Sequence, residues 1–248
     1  MSGIHFNDAS GPEGIRVYAI GDVHGRLDLL TGMHSAIREE IERDGFADWR
    51  IVHLGDYVDR GPESKGVLDF LIDQQAGDPR IITLAGNHDV GFLDFLAEPD
   101  INGLFVNCGG DATSLSYGVA ADFRDSVRMA FNHAELAQAV PAAHTSFLRS
   151  LGFSASFGDF FFCHAGVQPG VPLEAQVPDD LVWIRERFLR HSGLHPKVVV
   201  HGHTPHREPE VMANRVNVDT LAYASGVLTA LVIDRKDKRF LTVRGPAR

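Results

Sequence analysis

Short apolar runs and periodicities of three to four residues alternate along the first part of the chain. The run IRVYAI, residues 15–20, predicts a buried strand. Leu27, Leu30, Met33, Ile37 and Ile41 follow at spacings of three and four, the mark of one buried helix face. A second strand is predicted at RIVHLG, 50–55, a second helix by Val67, Leu68, Leu71 and Ile72, and a third strand at RIITLAG, 80–86. This alternation implies a right-handed βαβαβ arrangement with a largely parallel sheet. Residues 1–14, MSGIHFNDASGPEG, carry Gly and Pro punctuation without periodicity and read as an irregular tail.

The pattern changes after GNHD, 86–89. From about 99 to 150, short helical patterns are separated by the turn signals NCGGD and VPAAH, a stretch too long for an ordinary connection, so a helical insertion is expected there. Beyond it come strand-like FSASFG and FFFCH, a helical DDLVWIRERFLRH, then KVVVHGH, RVNVD, GVLTALVI and RFLTVR. The β-rich last third suggests a second sheet packed on the first. The expected fold is α/β: one domain over 15–244, two sheets face to face with helices on the outside.

Composition adds bounds. A chain of 248 residues with 44% hydrophobic content can bury one large core. Cys108 and Cys163 cannot make a disulfide framework, and no charged segment followed by an apolar one opens the chain, so a reducing, cytoplasmic setting is the default expectation. No apolar run approaches the length needed to span a bilayer, so no membrane partner is expected. A formal net charge of -10 argues against gripping nucleic acid, which needs a basic face. Nothing favours an oligomer, and a monomer is the working expectation.

Five predicted strand ends share one chemistry. They are GDVHG (Asp22, His24), GDYVDRG (Asp56, Asp59, Arg60), GNHD (Asn87, His88, Asp89), CHAG (His164) and HGHTP (His201, His203). In open α/β sheets the carboxyl ends of strands converge on one crevice, so these loops should share a site. Carboxylate, amide oxygen and imidazole together suit Mn²⁺, Fe or Zn²⁺ better than Ca²⁺, and a dinuclear site follows. Alternation along an extended segment lets Asp22 and His24 face one ion while Val23 turns into the core. Neighbouring glycines allow tight turns and close approach. Any one motif is weak, since a lone Gly-Asp after a strand is more often a turn. Five in order are not.

The order GDxHG, GDxxDRG, GNH, HA, GHTP resembles the phosphoprotein phosphatase family of metallophosphoesterases, above all its compact bacterial and phage members. The similarity extends to NCGGDATSLSYG, LVWIRERFL and VNVDTLAYASGVLTALVI, so it spans roughly 15–234. It implies a calcineurin-like architecture and a phosphatase acting on phosphomonoesters, with phosphoserine and phosphothreonine in proteins as the usual substrates. Carried over, it puts Asp22, His24 and a bridging Asp56 on one metal, and Asp56, Asn87, His164 and His203 on a second. The implied nucleophile is a hydroxide shared by the two ions, attacking phosphorus in line. His88 is the implied leaving-group acid, oriented by Asp59. Arg60 and Arg185 are implied phosphate binders, with Arg187 the weaker choice for the second. Two dications against two carboxylates and one hydroxide leave about +1 locally, enough to attract a phosphate to an acidic protein.

Some residues stay outside this assignment. His201 lies two before His203, but the broader G-H-x-H pattern would put its extra histidine at 205, where this chain has Pro205. Cys163 should point away from the metals as a packed, inert thiol. Arg26 either caps the site or begins the helix. Many relatives read GNHE where this chain has Asp89, and compact relatives tend to have glycine where it has Leu221, a strained choice if that backbone needs a positive φ. The rival activities are a dinucleoside polyphosphate hydrolase, which shares the metal motifs, and a silent phosphate-binding module, which would show a missing ligand or acid.

Overall fold

The computed structural model describes residues 3–247. In the first sheet β1 (Ile15–Ile20), β2 (Asp48–His53) and β3 (Ile81–Thr83) run parallel, linked by α1 (Leu27–Asp44) and α2 (Ser64–Gly77). Past β3 the chain forms α3 (Asn87–Ala97) and then α4 (Leu104–Asn107), α5 (Gly110–Ser116), α6 (Ser126–Ala139) and α7 (Ala142–Ser150); the apolar faces of α4, α6 and α7 pack with α2 and α3 in one cluster.

The second sheet holds β4 (Ser154–Phe157), β5 (Phe160–Cys163), β6 (Val198–His201), β7 (Glu210–Val211) and β8 (Arg215–Asn217), in the order β4-β5-β6-β8-β7. β5, β6 and β8 are parallel, with antiparallel β4 and β7 at the edges. The chain then returns to the first sheet through β9 (Val227–Asp234) and β10 (Asp237–Arg244), giving β10-β9-β1-β2-β3. Both sheets are mixed, each with a parallel centre, as α/β architecture with antiparallel edge strands requires.

Strand alternation sorts the core into layers. Val17 and Ala19 of β1 join Val52, Phe162, Val200 and Leu231 between the sheets. Tyr18 and Ile20 point the other way and pack on Leu29, Met33 and Ile37 of α1. With both faces of β1 covered, its sequence reads as a continuous apolar run rather than an alternating one. On the outer face of the second sheet, Phe161 and Val199 pack with Leu181, Ile184 and Phe188.

Three expectations change on inspection. The predicted helix DDLVWIRERFLRH is two short ones, α8 (Pro178–Trp183) and α9 (Glu186–Leu189), broken where Arg185 takes φ −129°, ψ −97°. The break keeps Ile184 and Phe188 in the core while leaving Arg185 exposed. A helical turn the sequence reading lacked, α10 (Ala222–Ser225), precedes β9, and Leu221 enters it in the left-handed region at φ 59°. Residues 3–14 hold no helix or strand, yet they are anchored: Ile4 N–H donates to His195 O, Phe6 N–H to Ala213 O, and Lys238 Nζ to the carbonyls of Phe6 and Ala9.

The sandwich interface should carry much of the stability. Phe162→Ala, fully buried between the sheets, is expected to cost about 3–5 kcal/mol in urea unfolding. Phe131→Ala on exposed α6, where the ring is 72% accessible, should change it by no more than about 0.5 kcal/mol. Equal effects would contradict this layering.

Candidate active site

Each of the five motifs leaves the carboxyl end of a strand: β1, β2 and β3 in the first sheet, β5 and β6 in the second. Tight backbone packing brings the turns together. The N–H groups of Val23 and His24 both donate to Asp56 O, at 3.1 and 2.9 Å. A Cβ at Gly86 would lie 2.1 Å from Asp56 Oδ1, and one at Gly202 would lie 2.0 Å from Asp22 Oδ1, so glycine is required at both positions. His24, Asp56, Asp59, Arg60 and His203 all have positive φ. Left-handed backbone at residues other than glycine costs of order 1–3 kcal/mol apiece and persists only where the surroundings hold it.

Asp56 sits at the middle of a buried cage. Its Oδ2 lies 3.4 Å from His24 Nε2 and 3.4 Å from His164 Nε2, and its Oδ1 accepts the backbone N–H of His88 at 2.9 Å. His164 Nε2, His203 Nδ1 and Asn87 Oδ1 are mutually 2.7–3.2 Å apart. Backbone carbonyls orient the rings: His24 Nδ1 donates to Val58 O at 2.7 Å and His164 Nδ1 to Leu54 O at 2.9 Å, so both Nε2 atoms turn toward Asp56. Asp22, also buried, accepts the His203 N–H at 3.1 and 3.3 Å.

The donor chemistry fits divalent metal. Burial holds the His24 imidazole down at about 3 and that of His203 at about 2, so both remain neutral. Burial pushes the Asp22 carboxyl well up, with the nearby Asp219 carboxylate adding to it. Burial alone would also raise Asp56 and lower His164, but their mutual attraction wins: Asp56 falls well below the usual range and His164 rises to about 9. A dication held by these groups would take over the work of that His164 proton. Two clusters offer atoms within 4.8 Å of one another, Asp56 with His164 and His203, and Asp56 with His24 and His88. Asp22 is in neither cluster, although the resemblance makes it a ligand. His88 is in one, yet both its ring nitrogens already have partners.

Those partners define the second half of the site. His88 Nδ1 donates to Asp59 Oδ2 at 2.7 Å, and both residues are buried. Its Nε2 accepts from Arg60 Nη2 at 2.9 Å, while Arg60 Nη1 donates to His24 Nε2 at 2.8 Å. The exposed Arg60 guanidinium also lies over Tyr223, 4.9 Å from the ring centroid. Arg185 Nη2 reaches His203 O at 3.5 Å, whereas Arg187 belongs to a separate depression with Gln168, Arg190 and His191.

The remaining candidates fall elsewhere. His201 is fully buried with its Nδ1 3.0 Å from Gly202 O and its ring 5.0 Å from Phe188, away from the cage. Cys163 is buried and its thiol is pushed up by burial. Arg26 is fully buried and donates to Asp28, Ala222 O and Pro246 O, a brace between α1, α10 and the C-terminal segment rather than a site residue. Asp89 accepts three backbone N–H groups, from Gly86, Asp56 and Tyr57, at 2.8–2.9 Å. The shorter side chain therefore still ties the β2 turn to the start of α3.

Sequence reasoning missed Asp219, Tyr223 and Thr113. Asp219 is a buried acid just past β8, in a strand-end position like the other five but without a glycine beside it. The His24 ring meets Tyr223 edge-on at 5.4 Å. Thr113 lies fully buried against Asp59.

Imidazoles and carboxylates packed around a carboxylate, beside an imidazole–carboxylate pair and guanidinium groups without a carboxylate partner among the described residues, suit metal-assisted hydrolysis of a phosphoester. Residues 15–231 match the model of the calcineurin-like phosphoesterases, and the chain belongs to that family. It is a metallophosphoesterase, a hydrolase of a family that works with divalent metal ions. Serine/threonine-protein phosphatase 2 of Salmonella typhimurium is 23% identical over 92% of this chain and 98% of its own. The asymmetrical bis(5'-nucleosyl)-tetraphosphatase PrpE of Halalkalibacterium halodurans is 25% identical over 86% and 87%. A crystal structure with the provisional assignment of diadenosine tetraphosphatase shares the fold, with a TM-score of 0.64 at 21% identity over 94% of this chain and 96% of that one.

Glycine packing gives a direct check on the cage. Gly86→Ala is expected to weaken Mn²⁺ binding at least about tenfold by isothermal titration, because the new methyl collides with Asp56. Gly77→Ala, with nothing within 4 Å, should leave binding unchanged.

Proposed function

We propose that this protein is a serine/threonine phosphatase, hydrolysing phosphoserine or phosphothreonine in proteins with two divalent ions, Mn²⁺ in first place. Asp22, His24 and Asp56 would hold one ion, and Asp56, Asn87, His164 and His203 the other. When bound, such a pair supplies Lewis-acid charge to phosphoryl oxygens and a water of lowered pKa. The observation that carries the reading is the double attachment of His88. Its backbone N–H binds Asp56 at 2.9 Å while its ring binds Asp59 at 2.7 Å, so a proton donor is fixed directly beside the cage.

Once Arg60 turns to phosphate, His88 Nε2 would be free to carry a proton and pass it to the departing seryl or threonyl oxygen, with Asp59 keeping the ring oriented through Nδ1. Arg60 now spends its donors on His24 and His88; phosphate oxygens offer stronger, charged acceptors to the same guanidinium. Arg185, exposed at the opposite rim beside His203, would take another oxygen. Together they favour charge spread over the equatorial oxygens in a loose transition state.

Preference for protein over nucleotide substrates draws support from the surface beside the site. A cavity of about 270 Å³ adjoins Trp183, lined by Phe95, Leu104 and Phe105 and rimmed by Asp94, Glu98 and Asp100. Trp183 also lies 6.3 Å from the His203 ring, which puts this acidic-rimmed cavity next to the site, where its carboxylates would disfavour a polyphosphate more than a peptide. The second reading, dinucleoside polyphosphate hydrolysis, has its support in the PrpE relative and in the cationic depression of Arg187 and Arg190. A cytoplasmic setting fits two unpaired thiols. No helix among the described residues is long and apolar enough to cross a membrane.

With Mn²⁺ added, kcat/KM should be higher for a phosphothreonine peptide than for a dinucleoside tetraphosphate. Hydrolysis of the tetraphosphate alone would overturn the substrate choice. His88→Ala should retain both metals and lower kcat on the peptide about 10²–10⁴-fold. Asp56→Asn should lose metal and activity together. An unchanged rate in the His88 variant would remove its role as acid.

A further inference from the structure

We propose that Thr113, on α5 of the helical stretch after α3, is a positioning residue for the leaving-group acid, clamping the Asp59–Arg60 turn. The inference rests on the reading of His88 as that acid.

The turn needs a clamp. Asp59 and Arg60 are consecutive residues other than glycine with positive φ, at 71° and 68°, so the backbone that aims both side chains cannot hold this shape alone. Helix α5 and the residues before it grip it at three points. Thr113 Oγ1 accepts the Asp59 N–H at 2.8 Å, and the Thr113 hydroxyl donates to Asp59 Oδ1 at 2.8 Å. One residue before the start of α5, Gly109 O accepts the Arg60 N–H at 3.0 Å. Gly109 has φ 102°, and a Cβ there would fall 2.8 Å from Arg60 N, so the contact is as close as backbone permits.

The proton inventory around Thr113 closes. Its single proton goes to Asp59 Oδ1; its lone pairs take the Asp59 N–H and the Ser64 hydroxyl, which is 2.9 Å away. Ser64 Oγ in turn lies 3.2 Å from Asp59 N. Thr113, Ser64 and Asp59 are all fully buried, where a polar group without a partner is expensive. Asp59 is therefore held through one oxygen by Thr113, leaving the other, Oδ2, for His88 Nδ1 at 2.7 Å. The chain of contacts runs from α5 through Thr113 and Asp59 to the ring of His88. Phosphate hydrolysis needs an acid in proportion to how poor the leaving group is, so a misaligned His88 should tell on an alkoxide and hardly on a nitrophenolate.

The test is a leaving-group comparison on the Mn²⁺-loaded full chain. Thr113→Val keeps the shape and deletes the hydroxyl. It should lower kcat on a phosphothreonine peptide about 10–100-fold with KM little changed, and lower kcat on p-nitrophenyl phosphate less than about threefold. Thr113→Ser, which restores the hydroxyl, should return the peptide rate to within about threefold of the parent. On the metal-free protein, the downfield proton resonance that His88→Ala removes should shift and exchange faster in Thr113→Val and recover in Thr113→Ser. Should Thr113→Val fail to fold, Ser64→Ala is measured in its place, with a smaller peptide-selective loss expected. A leaving-group split in His88→Ala but none in Thr113→Val overturns the clamp and leaves the acid standing. No split in either overturns the acid and the clamp with it.

Discussion

The arrangement depends on one buried carboxylate. Asp56 has almost no contact with water, and it is balanced by imidazoles 3.4 Å away on two sides, one from each sheet. A lone buried charge is among the costliest features a fold can carry, so the surrounding groups must be placed to compensate it. The two sheets accordingly meet with the carboxyl ends of their parallel strands facing one point: β1 and β5 bring His24 and His164, and β2 brings Asp56 itself. Without cations the compensation falls to protonated His164 and to hydrogen bonds; with them it becomes coordination. The geometry serves either state because the rings are oriented from behind, by the carbonyls of Val58 and Leu54.

Strain is the second consequence. Five of the seven left-handed residues other than glycine among those described are candidate site residues. Glycines relieve crowding around them but do not adopt the strained angles for them. Gly86 and Gly202 remove side chains that would strike Asp56 and Asp22. The strained residues are then held by ties from distant segments: Asp89 to the N–H groups of Asp56 and Tyr57, Thr113 to that of Asp59, Asp22 to that of His203. A fold that stores strain at its reacting groups needs its stability elsewhere, and the apolar layer around Phe162, Val200 and Leu231 supplies it.

How much of this was legible beforehand follows from what each feature leaves in the sequence. Strands buried on both faces are apolar runs, and acids or imidazoles beside glycine just after them are rare enough to be read, so the convergence of the five motifs and the sandwich were visible, while the pairing of Asp59 with His88 came from the family resemblance. Asp219 had the same strand-end position but no glycine beside it in sequence, and it passed unnoticed; the glycine that packs on its backbone is the distant Gly21. Thr113 is one hydroxyl in a helical turn, with no periodicity to separate it from solvent-facing neighbours. The α8–α9 break was invisible for another reason: its apolar residues keep helical spacing across it, so nothing in the pattern marks Arg185 as the residue that leaves helical angles.

Charge explains how an acidic chain can still receive a phosphate. Most of its negative charge is neutralised locally or lies at the surface, as where Arg16 bridges Asp44 and Asp234, or Arg80 meets Asp78. Arg60 and Arg185 make no such ion pair; their contacts are imidazole nitrogens and a carbonyl, weaker partners than phosphate oxygens. On the proposed reading, an anion arriving between them would exchange neutral acceptors for charged ones at both, while the carboxylates of Asp22 and Asp56 are buried. Attraction is therefore set by the few groups within a screening length of the mouth, and the net charge of -10 acts on the approach of polyanions more than on the seating of one phosphoryl group.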